Sequence, residues 1–129
     1  GRKTKHDDLT FNNKYLLLEL SENPITNRSI EYNDNRLSLF SAQRGKCAIT
    51  GYEFLAIEEV HCHHKTPRKN GGKDNYQNLI LVLPDVHKLI HAKREQTILK
   101  YLKILDLNNE QLEKVNKLRI KAELPMIVS

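Results

Sequence analysis

Five of the six histidines in this chain lie between positions 61 and 91, on two segments that favour different secondary structures. EEVHCHH comes first, followed by a polar stretch containing Pro67, Gly71 and Gly72, then the apolar run NLILVL, then PDVHKLIH with apolar residues at helical spacing. In this order the segments predict a strand, a long loop, a second strand and a helix. Pro84 suits the first turn of that helix, because the N–H it lacks has no helical partner there.

The histidine spacing also points to a cation. His87 and His91 are four residues apart on the predicted helix and therefore share one face. Two imidazoles in this arrangement can hold a divalent metal ion, although such pairs are common in helices that bind nothing. The HCHH run is equally weak evidence by itself. The combination is stronger: a histidine cluster at the end of one strand, Asn78 before the next and an HxxxH helix together indicate a metal site.

Helices are predicted on both sides of this segment. KYLLLEL suits a short helix or a buried strand equally well, because periodicity cannot decide over so few residues. RLSLFSAQR predicts a helix whose N-cap is Asp34 or Asn35. After the histidines, EQTILKYLKIL predicts one helix, and Asn108 with Gln111 in the capping-box position predicts the start of another.

The chain divides into one domain with two short ends. Residues 1–22 are expected to form a lead-in that is flexible or partly helical, and 124–129 a tail. Residues 23–123 are expected to form the domain. Within it, the strand–strand–helix core covers about 57–95 and the last helices about 95–123.

Composition excludes several classes of protein. With 129 residues and 39% apolar content, the chain suits one domain with a small core. Two cysteines are too few for a secreted disulfide scaffold, and no leading apolar run resembles a signal peptide, so we expect a cytoplasmic protein that is not secreted. No apolar run approaches the roughly 20 residues of a membrane helix. Because residue 1 is Gly and the single Met is Met126, we expect a fragment or a processed product of a longer protein.

Positive charge is concentrated beside the histidines. The formal net charge of +5 is mild, but seven Lys and Arg and only two acids lie between positions 61 and 94. A basic region next to a cation site would attract a polyanion, and phosphate groups are the obvious candidate. We therefore expect a nucleic-acid partner.

The motif resembles the HNH endonuclease, or ββα-metal, family, also known as His-Me finger nucleases. The matching positions are His63 and His64 ending the first strand, Gly71-Gly72 in the loop, Asn78-Leu79 opening the second strand, and the two helical histidines. This resemblance implies an α+β fold with a ββα-metal core of two strands and a metal-binding helix, flanked by helices on both sides. It also implies metal-dependent DNA cleavage.

A closer resemblance covers roughly residues 23–120. EVHCHHKTPRKNGGKDNYQNL followed by DVHKLIHA, with RSIEYNDNRLSLFSAQRGKCAITG before it, is similar to the C-terminal endonuclease domain of group II intron-encoded reverse transcriptase/maturases. The resemblance implies that the domain nicks one DNA strand, giving 5′-phosphate and 3′-OH ends, and that the 3′-OH primes reverse transcription during intron mobility. Intron RNA and the reverse transcriptase/maturase domains would then be partners in the full-length protein.

The family implies a role for each matching residue. His63, His87 and His91 would bind the metal ion, His64 would act as general base, and Asn78 would orient His64. The expected cofactor is one divalent ion, Mg²⁺ or Mn²⁺ for catalysis, with Zn²⁺ or Ni²⁺ also able to bind imidazoles. Candidate DNA contacts are the basic side chains of the loop and helix: Lys65, Arg68, Lys69, Lys73 and Lys88.

Strand geometry complicates this assignment. Adjacent residues of a regular strand point to opposite faces, so His63 and His64 can converge on one phosphate only where the strand ends. Pro67 favours such an ending. His61 shares the alternation phase of His63 and is a rival for its ligand role, with a structural or DNA-facing position as the alternative.

The sequence departs from the family pattern where many relatives bind a structural zinc. Two Cys-x-x-Cys pairs are replaced here by Cys47 with Thr50 and by Leu83 with Val86. We therefore expect no structural zinc and an apolar contact in its place, with Cys47 and Cys62 as buried small hydrophobes.

Three other interpretations remain open. A degenerate HNH-like module could bind DNA or RNA and a metal without cutting, although such a module has no need of an oriented base. A structural zinc site is disfavoured, because those sites are usually closed by thiolates. Among nucleases, a free-standing restriction or toxin enzyme is the alternative to the intron-encoded one.

Overall fold

A computed structural model of the chain describes residues 6–128. Five helices and two strands follow one another: α1 (His6–Glu22), α2 (Ile30–Ala42), β1 (His61–His64), β2 (Leu79–Val82), α3 (Pro84–His91), α4 (Glu95–Leu105) and α5 (Asn109–Lys121). This is the α+β arrangement expected from the sequence, with a two-stranded sheet and a helix at the centre and further helices before and after it. In the described part of the chain, no helix is long and apolar enough to cross a lipid bilayer.

The two strands form an antiparallel hairpin with a long connection. Their register pairs His61 with Val82 at one end and His64 with Leu79 at the other, and the Lys65 amide then donates to the Asn78 carbonyl at 2.7 Å. Three of the four β2 residues are buried, so this strand lies at the centre of the domain. The hairpin therefore holds the β1 histidines against the core.

Helix α3 follows β2 after one residue. It begins at Pro84, as predicted, and its buried residues Val86, Leu89 and Ile90 form one apolar face. The guanidinium of Arg119, itself only 1% exposed, donates to the carbonyls of Leu89, Ile90 and Ala92 at 2.8–3.3 Å. A side chain of α5 thereby satisfies the carbonyls that the end of α3 leaves without helical partners.

The last helix begins with the predicted capping box. Asn108 Oδ1 accepts from the Gln111 amide at 2.8 Å, and Gln111 Oε1 accepts from the Asn108 amide at 3.0 Å. The Asn116 side chain of α5 hydrogen-bonds to both the amide and the carbonyl of Ile127, a residue beyond the helix that is 6% exposed. The described part of the segment expected to be a tail is thus attached to the core.

The start of α2 differs from expectation, whereas KYLLLEL forms one of the two structures expected for it. Ser29, not Asp34 or Asn35, is the N-cap of α2, and its hydroxyl accepts from the Tyr32 amide at 2.9 Å. KYLLLEL is helical, and Leu16 and Leu20 of α1 are buried in the same core as the strands. This part of residues 1–22 contacts the rest of the chain through α1, which packs on α2. Residues 1–5 lie outside the described part.

Three of the four positions that correspond to the zinc-binding cysteine pattern belong to the core. Cys47, Leu83 and Val86 are buried, and the Leu83 amide donates to Cys47 Sγ at 3.4 Å. Both cysteines are free thiols. Cys62 is only half-buried, and burial raises the pKa of its thiol to about 11.

Candidate metal centre and general base

The hairpin and α3 bring three histidines together. His63, the third residue of β1, is 1% exposed and faces α3, where His87 and His91 stand one helical turn apart. His91 Nε2 lies 3.2 Å from His63 Nδ1 and 3.2 Å from His87 Nε2. These are the three residues that the sequence proposed as metal ligands, and one nitrogen from each lies within 4.8 Å of the others.

The chemistry of these histidines fits a divalent cation. Burial, followed by the neighbouring histidines, lowers the pKa of His63 to about 3 and that of His87 to about 4. Burial and the nearby Lys69, Arg119 and Lys93 also lower the pKa of His91. All three rings are therefore neutral at pH 7, which is the form that binds metal.

The distances between the ring nitrogens support the same conclusion. Two imidazole nitrogens bound tetrahedrally at about 2.0–2.1 Å from one ion are roughly 3.3 Å apart, close to the separations seen here. His63 Nε2 is buried and has no hydrogen-bond partner among the described residues. A cation held by these histidines would contact the other nitrogen, Nδ1, which faces His91, so the support for a metal comes from the distances.

The side chains of β1 alternate between two faces. His61 and His63 contact His87 of α3, whereas His64 stacks on Tyr32 of α2, with ring centroids 5.7 Å apart. His64 is the last residue of β1, so the strand does end where expected. The two adjacent histidines nevertheless keep to opposite faces, and the expected convergence of their rings does not occur.

His64 is oriented by a carboxylate. Its Nε2 lies 2.8 Å from Asp74 Oδ1, and the two side chains are 11% and 12% exposed. Asp74 is held in turn by α2: its Oδ2 accepts from the Ser29 hydroxyl at 2.6 Å, and its backbone carbonyl accepts from the Asn35 side chain at 2.8 Å. The hydrogen bonds from His64 and Ser29 lower the pKa of Asp74. The histidine therefore has a fixed partner anchored by a helix terminus.

The Asn78 side chain, expected to orient His64, forms its hydrogen bonds with the backbone of the loop. Asn78 Oδ1 accepts from the Thr66 amide at 2.9 Å, and its Nδ2 donates to the carbonyls of Thr66 and Lys73 at 3.1 and 2.9 Å. These contacts tie the two ends of the loop together, directly before Asp74. Asn78 consequently acts on His64 only through the loop that carries Asp74.

Glycine allows this loop to close tightly. Gly71 has φ of +91°, in the left-handed region, and a Cβ at residue 72 would overlap the carbonyl oxygen of Thr66. The Gly72 amide donates to the Pro67 carbonyl at 3.0 Å. Gly71 and Gly72 are therefore needed for the tight turn of the loop.

Several of the predicted DNA-contacting residues lie beside the histidines. The charge of Lys88 contributes, after burial, to lowering the pKa of His61, and Lys69 has the same effect on His91. Arg68 contributes to the low pKa of Asp74 after the hydrogen bonds and the charge of His64. Lys65 and Lys73 belong to the loop that Asn78 closes, next to His64 and Asp74 respectively. The basic region therefore borders both the metal centre and His64.

Three residues of the site were missed from the sequence: Asp74, Ser29 and Tyr32. Asp74 lies two residues after Gly72, and in the sequence it stands out only as one of the two acids within the basic region. Ser29 precedes Tyr32 by three residues, the spacing of an N-cap, which would have signalled the start of α2. Their meeting with His64 depends on how α2 packs against the loop, for which the sequence carries no local signal.

Residues 46–93 match the family model described as HNH endonuclease. The matched stretch contains both strands, the loop, all of α3, the five clustered histidines and Asp74, whereas Ser29, the residues of α2 and Arg119 lie outside it. The two-stranded sheet with its helix is consistent with the ββα-metal HNH fold, and together with the match to this family model it supports a nuclease activity and a nucleic-acid substrate. Comparison with curated proteins and with solved structures finds no match.

Proposed function

We propose that this chain is an endonuclease domain that hydrolyses one phosphodiester bond in one strand of DNA, with the help of a divalent metal ion. One observation carries the proposal: three neutral imidazoles converge on one side of the end of β1, and a carboxylate-oriented histidine lies on the other. A module that only bound nucleic acid would need no oriented base.

His63, His87 and His91 would hold the metal ion. When bound, the ion would supply Lewis-acid stabilisation of the charge that develops on the phosphate and on the departing oxygen. Mg²⁺ or Mn²⁺ suits the catalytic role, while three imidazoles favour Zn²⁺ or Ni²⁺ in affinity. Three protein ligands leave coordination positions open, as a catalytic rather than a structural site requires.

His64 is the proposed general base. Because a carboxylate only accepts hydrogen bonds, Asp74 holds the neutral imidazole with its proton on Nε2 and leaves the Nδ1 lone pair free. Nδ1 takes a proton from water as the water oxygen bonds to phosphorus. The bond from phosphorus to the 3′ oxygen breaks, and that oxygen leaves with the electron pair and takes a proton from solvent. The products are a 5′-phosphate and a 3′-OH.

The opposite orientations of His63 and His64 suit this displacement. In an in-line reaction the attacking water and the leaving oxygen lie on opposite sides of phosphorus. A phosphate lying across the end of β1 would meet His64 on one side and the proposed metal ligands on the other. The alternation of side chains along β1, which prevents His63 and His64 from sharing one face, therefore suits a site with the base on one face and the metal ligands on the other.

The substrate is proposed to be DNA bound through its backbone. Lys65, Arg68, Lys69, Lys73 and Lys88 would contact phosphates around the site, contributing salt-dependent affinity with little sequence preference. Target choice would then come from elsewhere in a larger assembly.

The biological setting proposed is group II intron mobility. The similarity of roughly residues 23–120 to the endonuclease domain of intron-encoded reverse transcriptase/maturases supports it. The nick would leave a 3′-OH that primes reverse transcription, with intron RNA and reverse transcriptase/maturase domains as partners in a cytoplasmic complex.

Nicking of supercoiled plasmid tests the activity. Wild-type protein is expected to produce open circles with Mg²⁺ or Mn²⁺ and none with chelator, whereas His64→Ala abolishes nicking. Lys114→Ala, an exposed change on α5, controls for purification, since a contaminating nuclease would act equally in all three preparations. Metal-dependent nicking that survives His64→Ala would contradict the assignment of the base.

A further inference from the structure

His61 contacts His87, a proposed metal ligand, on the side of its ring that faces away from the metal centre. Its Nδ1 lies 3.0 Å from His87 Nδ1, and the two rings meet edge to face with centroids 5.2 Å apart. The other ring nitrogen of His87, Nε2, faces His91. The two nitrogens of an imidazole point away from opposite edges of the ring, so His61 lies on the side of His87 remote from the metal centre.

This geometry fixes the proton positions once His87 binds a cation. Coordination through Nε2 requires that nitrogen to be unprotonated, so the proton of neutral His87 is on Nδ1. His87 then donates from Nδ1 to His61 Nδ1, which accepts through its lone pair, and His61 carries its own proton on Nε2. Each nitrogen of the pair thus has a defined role.

The backbone holds the two residues in register. His61 pairs with Val82 across the hairpin, and α3 starts two residues later with the His87 amide donating to the Leu83 carbonyl at 3.0 Å. The acceptor, on β1, is therefore joined by the hairpin to the strand that leads directly into the helix of the ligand. Little motion is available that would separate them without breaking the hairpin.

We propose that His61 is a positioning residue for the metal centre, holding His87 in the tautomer and ring orientation that present Nε2 to the ion. The inference rests on the proposed metal site. Groups that accept the remote N–H of a metal-bound histidine raise its basicity as a ligand, and their loss typically weakens metal binding by 10–100-fold. Such acceptors are usually carboxylates or carbonyls, and here an imidazole takes that place.

The alternative role is that of a fourth ligand, the rival role that the sequence allowed for His61. It predicts a different coordination number. In the structure, His61 Nδ1 approaches the wrong nitrogen of His87 for this, because a shared ion would have to face His87 Nε2. Counting histidine ligands therefore distinguishes the two roles.

The test measures Co²⁺ binding to metal-free protein by titration of the visible absorption bands, with no nuclease assay involved. His61→Leu removes the acceptor and should weaken Co²⁺ affinity 10–100-fold. His61→Asn places a carbonyl oxygen close to the position of Nδ1 and should stay within about threefold of wild type. The band shape, which reports ligand number, should be the same in all three proteins.

Two controls separate a positioning role from general damage. In a His87→Ala background, His61→Leu should cause no further loss of affinity, since there is no ligand left to orient. Thermal unfolding with chelator identifies a variant that fails to fold. If His61→Leu does not fold, the Co²⁺ affinity of His61→Asn is compared with that of wild type and should be retained.

Distinct results would overturn the inference. Equal Co²⁺ affinity in wild type and folded His61→Leu contradicts it while leaving the metal centre intact. A His61→Leu spectrum that shows one histidine ligand fewer makes His61 a ligand instead. Wild-type protein that binds no Co²⁺ would refute the proposed metal centre itself, and the inference with it.

Discussion

Asp74 accepts a hydrogen bond from His64 across the loop that separates the two strands, at 2.8 Å between Oδ1 and Nε2. The contact assigns a tautomer to the proposed base and links it to α2 through Ser29. The Asn78 side chain, which the resemblance implies orients His64, bonds instead to the backbone of the loop. The orientation of His64 thus depends on a helix outside the matched residues 46–93.

Replacing Asp74 should slow cleavage without weakening DNA or metal binding. In Asp74→Ala the imidazole loses its acceptor and no longer holds its proton on Nε2, so we expect kcat to fall roughly 10²–10⁴-fold with KM within a few-fold of wild type. Steady-state nicking kinetics at saturating Mn²⁺ measure both constants.

Two comparisons make that result specific. Asp85→Asn changes the other acid of positions 61–94, lies in the first turn of α3 and should leave kcat unchanged. Adding Asp74→Ala to His64→Ala should cost nothing further, because Asp74 acts through His64. Additive losses in the double variant would mean that Asp74 has another role.

Stability of the metal-free protein should fall as the solution is acidified below pH 6.5. The pKa of His63 is about 3 and that of His87 about 4 in the folded chain, against 6.5 when unfolded. Between these values the unfolded state binds more protons, so the free energy of unfolding decreases with falling pH, by up to about 1.4 kcal/mol per pH unit for each histidine. Urea unfolding with chelator at pH 7, 6 and 5 measures the slope.

His63→Gln should make this slope shallower, since it removes the more strongly shifted group. A slope that is unchanged in His63→Gln would show that the acid sensitivity arises elsewhere in the chain.

Arg119 should be one of the most sensitive positions outside the site. Arg119→Ala leaves the carbonyls of Leu89, Ile90 and Ala92 without their donor, and we expect the free energy of unfolding to fall by roughly 3 kcal/mol. Metal affinity should fall as well, because the end of α3 carries His91. Lys121→Ala, an exposed change on the same helix, is the matched control, and equal unfolding curves for the two variants would refute the assigned role.

Lys69 and Lys88 should contribute to DNA binding through charge. Lys69→Ala and Lys88→Ala are each expected to weaken binding of any duplex sequence and to reduce the slope of log affinity against log salt by about 1. Fluorescence anisotropy at several salt concentrations measures this, with Lys114→Ala as a distant control. Salt slopes identical to wild type would place DNA elsewhere on the surface.

The central motif was accessible from sequence because its signals are local. Pro84 at a helix start, the reciprocal pair Asn108 and Gln111, and two histidines four apart each specify their structure within a few residues. The proposed metal centre requires one further feature, the hairpin that places His63 beside α3. Its three proposed ligands are the histidines that the sequence pattern indicates.

The remainder depends on tertiary packing. Asp34 and Asn35 are good capping residues, but they lie inside α2, and Asn35 instead donates to the Asp74 carbonyl. Nothing within a few residues of Asp74 indicates that the packing of α2 places the Ser29 hydroxyl beside the Asp74 carboxylate. The pairing of His61 with His87 likewise requires the strand register, which a pattern of alternating residues leaves undefined.

The most direct test of the account is strand-resolved cleavage of a labelled DNA duplex under single-turnover conditions, with a polymerase added to detect extendable ends. With Mn²⁺, wild-type protein should give one nicked strand whose 3′ end is extended, and His64→Ala and His91→Ala should each be at least roughly 100-fold slower. Wild-type protein that binds duplex and metal yet leaves both strands intact with Mg²⁺, Mn²⁺, Zn²⁺ and Ni²⁺ would contradict the account and establish a binding module instead.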